Sequence, residues 1–188
     1  MGVSVTELVT DLATDLATGS TDRPEADRAD LADAFKSGFR RQPNGVALVA
    51  CATPDGPVGL TASSVASVSA DPALLSFSVL RSSVSGATIA GAGGGAVYLL
   101  GEQHADLAAA FATRGAERFT AAQGWTTRPG QEGGLPALPD ALATFWFDHH
   151  QVIPAGQAWL VLASVTAVDL GPGEDPLVHH DRHFRRIS

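Results

Sequence analysis

Short apolar segments, each followed by turn-forming residues, constrain the fold of this chain more than any other feature. The first, 46–52, consists of β-branched and small apolar residues, and Thr-Pro-Asp-Gly-Pro at 53–57 supplies the torsions of a tight turn. Similar segments cover 58–68, 74–80, 96–100, 141–147, 158–168 and 176–180. Because six or seven strands leave reactive edges unless the sheet closes on itself, the pattern predicts a mainly β fold, a closed or nearly closed barrel.

Helical periodicity is restricted to a few segments. The first residues form a leader in which one apolar stripe predicts a short amphipathic helix. The stripe consists of Val5, Leu8, Val9, Leu12 and Leu16. A break at 19–22 precedes Pro24, which suits the first turn of a second helix that ends near Gly38. Two more helices are predicted over 85–90 and 102–114.

Acidic residues are concentrated in the leader. Residues 1–33 carry eight carboxylates and two arginines, so they hold −6 of the total net charge of −8. We therefore divide the chain into an acidic, partly helical leader at 1–33 and a folded domain at 34–188. The total charge argues against a nucleic acid partner, because a phosphate backbone is held by clustered Lys and Arg.

The sequence offers neither a membrane segment nor a thiol pair. No apolar run reaches the roughly 18 to 20 residues of a spanning helix, and the start lacks a secretory pattern. We therefore expect a soluble, cytoplasmic protein that does not bind membranes. Cys51 is the only cysteine, which excludes an intrachain disulfide. Redox chemistry would need a cofactor.

Two motifs receive a structural interpretation. Residues 91–96 contain G-x-G-x-x-A, but the dinucleotide fingerprint requires a strand before it and a helix after it, and here the predicted order is reversed. We interpret this stretch as a glycine-rich connection from helix to strand. The histidine pairs at 149–150 and 179–180 point to opposite faces of a strand and lack metal-ligand spacing, so no metal site is predicted.

Hydroxyl side chains are concentrated in two segments. Five of the residues in 59–69 carry one, which is many for a packed strand unless a ligand or the backbone accepts their hydrogen bonds. Residues 82–88 contain four hydroxyls beside Arg81, ahead of a predicted helix, where hydroxyls, amides and a guanidinium suit a phosphate. Helix capping and strand-edge hydroxyls explain the same residues, and composition alone does not choose between the two interpretations.

Several ordered segments resemble the flavin reductase-like proteins, an FMN-binding split-barrel family that includes reductase components of two-component flavin monooxygenases. The signature segment is GLTASSVASVSADPALLSFSV at 59–79. Shorter matches in the same order are FRRQPNGV at 39–46, DLAAAFA at 106–112 ahead of the pair Arg118-Phe119, GLPALPDALA at 134–143, and PLVHH at 176–180 with Phe184. The resemblance covers about residues 35–187, nearly all of the chain beyond the leader.

The resemblance implies a homodimeric split β-barrel that binds FMN, or alternatively FAD, in a cleft between protomers and reduces it with NADH or NADPH. Hydride transfer needs positioning rather than a protein nucleophile, so no catalytic side chain is expected. Carried over by position, the residues that line the flavin ring and ribityl chain are Pro43, Asn44, Gly45, Val46, Thr61, Ala62, Ser63 and Ser64, and those that hold the phosphate are Ser82, Ser83 and Ser85. His180, His183 and Phe184 correspond to the segment that approaches the nicotinamide in relatives.

Two positions depart from the family pattern. Tyr98 stands where many relatives have Asn, and Ala158 stands where many have the His of a G-D-H motif associated with the nicotinamide. The predicted function is an NAD(P)H-dependent flavin reductase that supplies reduced flavin to a partner monooxygenase. The alternative is a non-catalytic flavin-binding or carrier protein of the same fold. A flavin-independent interaction module, motivated by the amphipathic leader, is the weaker alternative.

Overall fold

A computed structural model describes residues 24–127, 134–173 and 175–185. The predicted leader helix over 5–16 lies outside these residues. The helices of the described part are α1 (Glu25–Phe39), α2 (Val84–Gly91) and α3 (Ala105–Ala112), with single 3₁₀ turns at Glu102–His104 and Ala121–Gln123. The strands are β1 (Asn44–Gly45), β2 (Ala47–Thr53), β3 (Gly56–Ala62), β4 (Ala66–Ala70), β5 (Ala73–Leu80), β6 (Gly94–Leu99), β7 (Ala143–Ala155), β8 (Ala158–Leu170), β9 (Val178–His180) and β10 (His183–Arg185).

Seven strands form one antiparallel sheet in the order β3-β2-β6-β7-β8-β5-β4. Its two outer strands, β3 and β4, are consecutive in the chain. Ser64 lies between them and exchanges hydrogen bonds of 3.0 and 3.2 Å with the backbone of Ser78 on β5, which joins the two sides of the sheet. The predicted mainly β fold, a split barrel, is confirmed. The short strands β1, β9 and β10 form a second sheet.

The central strands are buried on both faces. Along β2, Leu48 and Ala50 join a cluster that α3 covers, whereas Val49 and Cys51 join a second cluster inside the barrel. Apolar and polar residues alternate along a strand when one of its faces is exposed to solvent, and β2 has no exposed face from Ala47 to Cys51. This explains why its sequence is apolar throughout.

Helix α1 packs differently from the other two helices. None of its residues is buried, and it runs through residue 33, where we predicted the leader to end. Helices α2 and α3 each bury an apolar side: Ile89 lies in the barrel cluster, and Phe111 lies in the cluster beneath α3. The barrel therefore holds α2 and α3 by apolar burial but leaves α1 on the surface.

The strand boundaries correct two predictions. The segment 58–68 is two strands rather than one, since the chain turns away at 63–65 after β3. Strand β7 runs on to Ala155, well beyond the predicted segment 141–147, because its second half is paired along β8 although its residues are polar or half-buried. Apolar content therefore located these strands and missed their ends.

The glycine-rich stretch connects helix to strand, as predicted. Gly91 ends α2 and Gly94 begins β6. Gly93 adopts a φ of 81°, in the left-handed region that favours glycine. A Cβ on Gly95 would collide with the carbonyl oxygen of Ala50 on the neighbouring strand. The glycines serve a turn and a close strand approach, and the stretch lacks the strand-to-helix context of a dinucleotide site.

Candidate functional site

A cavity of about 820 Å³ lies between β3, the turn from β5 into α2, and the segment after α3. We call it the serine cavity. Its polar side chains belong to Thr61, Ser78, Ser82, Ser83, Ser85, Arg114 and Arg118. The structure therefore brings together four of the residues predicted to bind flavin, Thr61 and the serines at 82, 83 and 85, from two separate parts of the sequence.

Two of these hydroxyls have structural partners. The Thr61 hydroxyl donates to the carbonyl of Ala108 at 2.6 Å and ties β3 to α3. The Ser83 hydroxyl accepts from the amide of Gly86 at 3.2 Å and caps α2. In the described residues, the hydroxyls of Ser82 and Ser85 have no hydrogen-bond partner. Capping thus explains Ser83, whereas Ser82 and Ser85 are available to a ligand.

The serine cavity is positively charged. Arg118 donates from Nη1 to the carbonyl of Gly59 and from Nη2 to the carbonyl of Thr113, both at 2.8 Å, and its guanidinium lies 5.6 Å from the Phe111 ring. Arg114 is exposed and forms no ion pair within the described ranges. None of the described lining residues is Asp or Glu. Together with the N-terminus of α2, this lining suits a phosphate.

Arg81 does not take the position we predicted for it. Its guanidinium lies over the ring of Trp159, 4.7 Å from the centroid, and Nη1 donates to the carbonyl of Gly156 at 3.3 Å. The side chain therefore points away from the three serines that follow it, because a cation–π contact on β8 holds it there. The arginines beside the serines come instead from the segment after α3.

A second cavity, of about 470 Å³, lies beside the turn between β9 and β10. We call it the hairpin cavity. Of the predicted flavin-binding residues it contains Asn44, Ser63 and Ser64, and it also contains His179. Because Ser64 is hydrogen-bonded to Ser78, which lines the serine cavity, the two cavities have a common wall.

The predicted nicotinamide residues are distributed over both sides of the C-terminal hairpin. His180 lines a smaller pocket of about 320 Å³ together with Arg40 and Arg41. The Phe184 ring lies edge-on to His179, 6.0 Å between centroids. His183 is exposed, and its Nδ1 is 2.7 Å from the carbonyl oxygen of Asp181. These residues flank the hairpin cavity, but the structure places His179 rather than His180 in its lining.

Four predicted flavin-binding residues contribute no side chain to the cavities described above. Val46 and Ala62 are buried in the core, and Val46 uses both its amide and its carbonyl in backbone hydrogen bonds. Pro43 and Gly45 are exposed at β1. Their contact with a ligand would be through the surface of the chain and not through a lined cavity.

The residues that depart from the family pattern have different surroundings. Tyr98 is fully buried, and its hydroxyl donates to the carbonyl of Pro136 at 2.6 Å. It is a core residue outside the described lining of both cavities. Ala158 pairs across the sheet with Leu80, which lines the serine cavity. The second departure is therefore the one that lies near the predicted site.

Sequence reasoning missed Arg114 and His179. Arg114 follows α3 without a local pattern, and only the tertiary packing of that segment against β3 brings it to the serines. His179 belongs to a histidine pair whose members point to opposite faces, and the strand register decides which one faces the cavity. The sequence showed that the two histidines face opposite sides of the strand, but it did not show which of them faces the cavity.

Other chemistries find little support in the described ranges. Those residues contain no group of three or more His, Cys, Asp or Glu that could hold a metal ion. They also contain no helix long and apolar enough to cross a membrane. Burial raises the pKa of the Cys51 thiol, so the reactive thiolate is disfavoured at neutral pH.

Comparison with known proteins identifies the family. Residues 39–188 match the flavin reductase like domain. An NADH:FMN oxidoreductase of Rhodococcus erythropolis is 32% identical over 167 residues, covering 87% of this chain and 85% of that protein. The chain belongs to the flavin reductase-like family. The membership predicted from the ordered segments is confirmed, as is the predicted class of enzyme, a flavin oxidoreductase.

Solved structures agree with this placement. The crystal structure of a flavin reductase domain protein from Arthrobacter sp. FB24 superposes with a TM-score of 0.74 at 28% identity, covering 84% of this chain and 96% of that one. The flavin reductase component of a bacterial two-component tryptophan halogenase superposes with a TM-score of 0.73 at 25% identity, covering 83% and 98%. The split barrel described above is the fold of these proteins.

Proposed function

We propose that the protein transfers a hydride from NADH, or alternatively NADPH, to FMN, or alternatively FAD, held in the serine cavity. One observation supports the flavin site above others. The hydroxyls of Ser82 and Ser85, without partners among the described residues, lie in a lining with Arg114 and Arg118 and without a carboxylate among its residues. Relatives named for NADH and FMN support the choice of both substrates.

The residues present fit a flavin phosphate. Ser82 and Ser85 would donate hydroxyl hydrogen bonds, and Arg114 would supply the charge, because charge-assisted bonds to phosphate are the strong ones. Arg118 already donates hydrogen bonds to the carbonyls of Gly59 and Thr113, so it would attract the phosphate by its charge more than by new hydrogen bonds. When bound, FMN supplies the hydride acceptor that no side chain of the protein provides.

The nicotinamide is assigned to the hairpin cavity. Asn44 and Ser63, which the resemblance assigns to the flavin ring, also line this cavity, so the flavin ring and the nicotinamide would meet here. His179 and the neighbouring Phe184 offer rings against which a planar group can lie. Ser64 of this cavity is hydrogen-bonded to the backbone of Ser78, which lines the serine cavity, so the two cavities adjoin. Two ligands in adjoining cavities would meet there, which supplies the proximity that hydride transfer requires.

We also propose a homodimer. Five large apolar side chains on the adjacent strands β4, β5 and β8 are 38% to 82% exposed: Val68, Leu80, Leu160, Val168 and Leu170. A second copy of the chain would cover them.

Delivery of reduced flavin to a partner monooxygenase is proposed from the relatives named as reductase components. A cytoplasmic location rests on the single, unpaired cysteine.

The phosphate assignment is tested by the double variant Ser82→Ala/Ser85→Ala. Each lost charge-assisted hydrogen bond costs about 1.5–3 kcal/mol, so we expect at least a tenfold weaker FMN affinity, measured by flavin fluorescence. Thr88→Ala is the matched control, because its hydroxyl donates to Val84 within α2 and lies outside the cavity lining. Equal FMN affinity in the double variant and the control would refute the assignment.

The reaction itself is tested by anaerobic titration of the FMN-loaded protein with NADH and then with NADPH. We expect the flavin absorbance to bleach with NADH. If the protein binds FMN but neither nucleotide bleaches the flavin absorbance, the protein is instead the non-catalytic carrier. The same titration decides between the two pyridine nucleotides.

A further inference from the structure

Basic side chains are concentrated where the end of α1 meets the turn of the C-terminal hairpin. Lys36, Arg40 and Arg182 line the hairpin cavity, and Arg40 and Arg41 line the smaller pocket that contains His180. These four residues are a third of the 12 lysines and arginines in a chain whose net charge is −8. We call them the basic cluster. A local excess of cations in an acidic protein requires an explanation.

The backbone fixes the position of the basic cluster. The amide of Asp181 donates to the carbonyl of Arg40 at 3.1 Å, which joins the hairpin turn to the residue after α1. Asp181 and Arg182 both adopt positive φ, 47° and 65°, as the central residues of a tight hairpin turn. Arg40 and Arg182, from two distant parts of the chain, therefore line the same cavity.

The charge of the basic cluster is largely unpaired. Lys36 contacts Asp33 at 3.1 Å. Among the described residues, the guanidinium groups of Arg40, Arg41 and Arg182 have no ion pair with a carboxylate. Asp181 is the one acidic residue in the described lining of either pocket. The cluster consequently presents net positive charge to any ligand in the hairpin cavity.

Two aromatic rings beside these arginines are exposed within the part of the chain that the structure describes. Phe35 and Phe39 are 63% and 56% exposed, their centroids are 4.7 Å apart, and both line the hairpin cavity. An exposed aromatic pair next to guanidinium groups matches a nucleotide, since bases stack on aromatic rings and phosphates bind Arg. An inorganic anion does not stack on aromatic rings, so the pair favours a ligand that also carries a base.

We infer that the basic cluster and the Phe35–Phe39 pair bind the ADP half of the pyridine dinucleotide. Arg40, Arg41 and Arg182 take the pyrophosphate, and the phenylalanines take the adenine. This inference rests on the proposed function and names a site for the part of the substrate that does not react. The flavin phosphate then has its own cations, Arg114 and Arg118, across the wall formed by Ser64 and Ser78. Binding energy from the ADP half would orient the nicotinamide.

The test measures ADP-ribose binding to the full-length protein by calorimetry, because ADP-ribose carries the pyrophosphate and adenine but cannot donate a hydride. In the double variant Arg40→Gln/Arg41→Gln we expect its Kd to rise about tenfold or more, as two charge-assisted contacts are lost. FMN affinity should stay within about twofold of the wild-type value. Arg185→Gln is the matched control: it removes a charge from the same hairpin, outside the lining of both pockets.

A second variant covers the case in which the arginine variant does not fold. Phe35→Leu/Phe39→Leu changes only exposed side chains, and it should weaken ADP-ribose binding while leaving inorganic pyrophosphate binding unchanged. Unaltered ADP-ribose affinity in both variants, or no ADP-ribose binding to the wild-type protein, would overturn the inference. Weakened FMN binding with unaltered ADP-ribose binding would also overturn it, because the cluster would then hold the flavin phosphate.

The outcome for the site is separable from the outcome for the proposed function. If the protein fails to reduce flavin, yet ADP-ribose binding weakens in the arginine variant and not in Arg185→Gln, the nucleotide site stands and the reductase activity does not. If NADH bleaches the flavin with the same KM in the arginine variant and the wild type, while ADP-ribose affinity is unaltered, the activity stands and the site does not.

Discussion

At the scale of single residues, His149 couples stability to pH. Its ring stacks on Phe147, with centroids 5.8 Å apart and planes at 9°, and its Nε2 is buried without a hydrogen-bond partner among the described residues. Burial lowers the pKa of His149 from 6.5, and the nearby Asp148 opposes this only in part. The native state therefore resists protonation of this ring.

The sign of the pH effect follows from this depressed pKa. Below pH 6.5 the unfolded chain binds a proton at His149 that the native chain binds less readily, so stability is lost as the pH falls through 6.5. We expect the free energy of unfolding to drop between about pH 7.5 and 5.5, and to drop less in His149→Phe. Urea unfolding of both proteins at each pH provides the measurement. Parallel pH profiles would show that other groups carry the effect.

At the scale of elements, the close approach of β6 to β2 depends on Gly95. A Cβ there would collide with the carbonyl oxygen of Ala50 and lie 3.2 Å from the Phe147 ring. We expect Gly95→Ala to lower the free energy of unfolding by about 1–3 kcal/mol, because overpacking moves backbone in a buried strand pair. Thermal or urea unfolding measures the loss.

Gly91→Ala is the control for that prediction. It ends α2, and apart from its own helix backbone and chain neighbours no described atom would lie within 4 Å of the new Cβ. Alanine at this position should be neutral or stabilising by up to about 1 kcal/mol, since glycine is the poorer helix former. Equal stability of the two variants would mean that the β2–β6 spacing is not tight.

The sequence predicted the positions of the strands better than the residues at which they begin and end. Strands such as β2, β5 and β8 are apolar on at least one face, and their positions were found to within a few residues. The break after β3 was missed because residues 63–65 contain no glycine or proline to signal a turn, and the second half of β7 was missed because His149 to Gln151 are polar. Short strands such as β1 and β10 depend on pairing with β9, which no local pattern encodes.

The site was predicted in the same uneven way. The serines before α2 and Thr61 were identified by their hydroxyls and by family resemblance, and they do meet in one cavity. The cations opposite them were not, since Arg81 is drawn to Trp159 and Arg114 arrives from a distant segment. Charges that converge through tertiary packing leave no trace in local sequence.

At the scale of the whole molecule, the described lining of the serine cavity consists of residues of the barrel domain. This lining begins at Leu60 and ends at Arg118, whereas α1 is entirely exposed. We retain as a proposal the division into a leader at 1–33 and a domain at 34–188. Since α1 continues through residue 33, the informative truncation is made before α1.

A chain of residues 24–188 should bind FMN as the full chain does. We expect the Kd to stay within about twofold, because the truncation removes acidic charge but none of the described residues that line the cavity. Flavin fluorescence at low and at moderate ionic strength measures it. A tenfold weaker affinity would assign the leader a part in the flavin site.

Ser64 joins the two sides of the barrel through its side chain and not through a backbone ladder. The outer strands of the sheet are consecutive in the chain, and between them one hydroxyl makes with Ser78 the two hydrogen bonds that a strand residue would make with its backbone. A backbone ladder opens only cooperatively, but a side chain can rotate about one bond and exchange its partner. A single rotamer change at Ser64 would therefore break both of these hydrogen bonds and leave every hydrogen bond between paired strands intact.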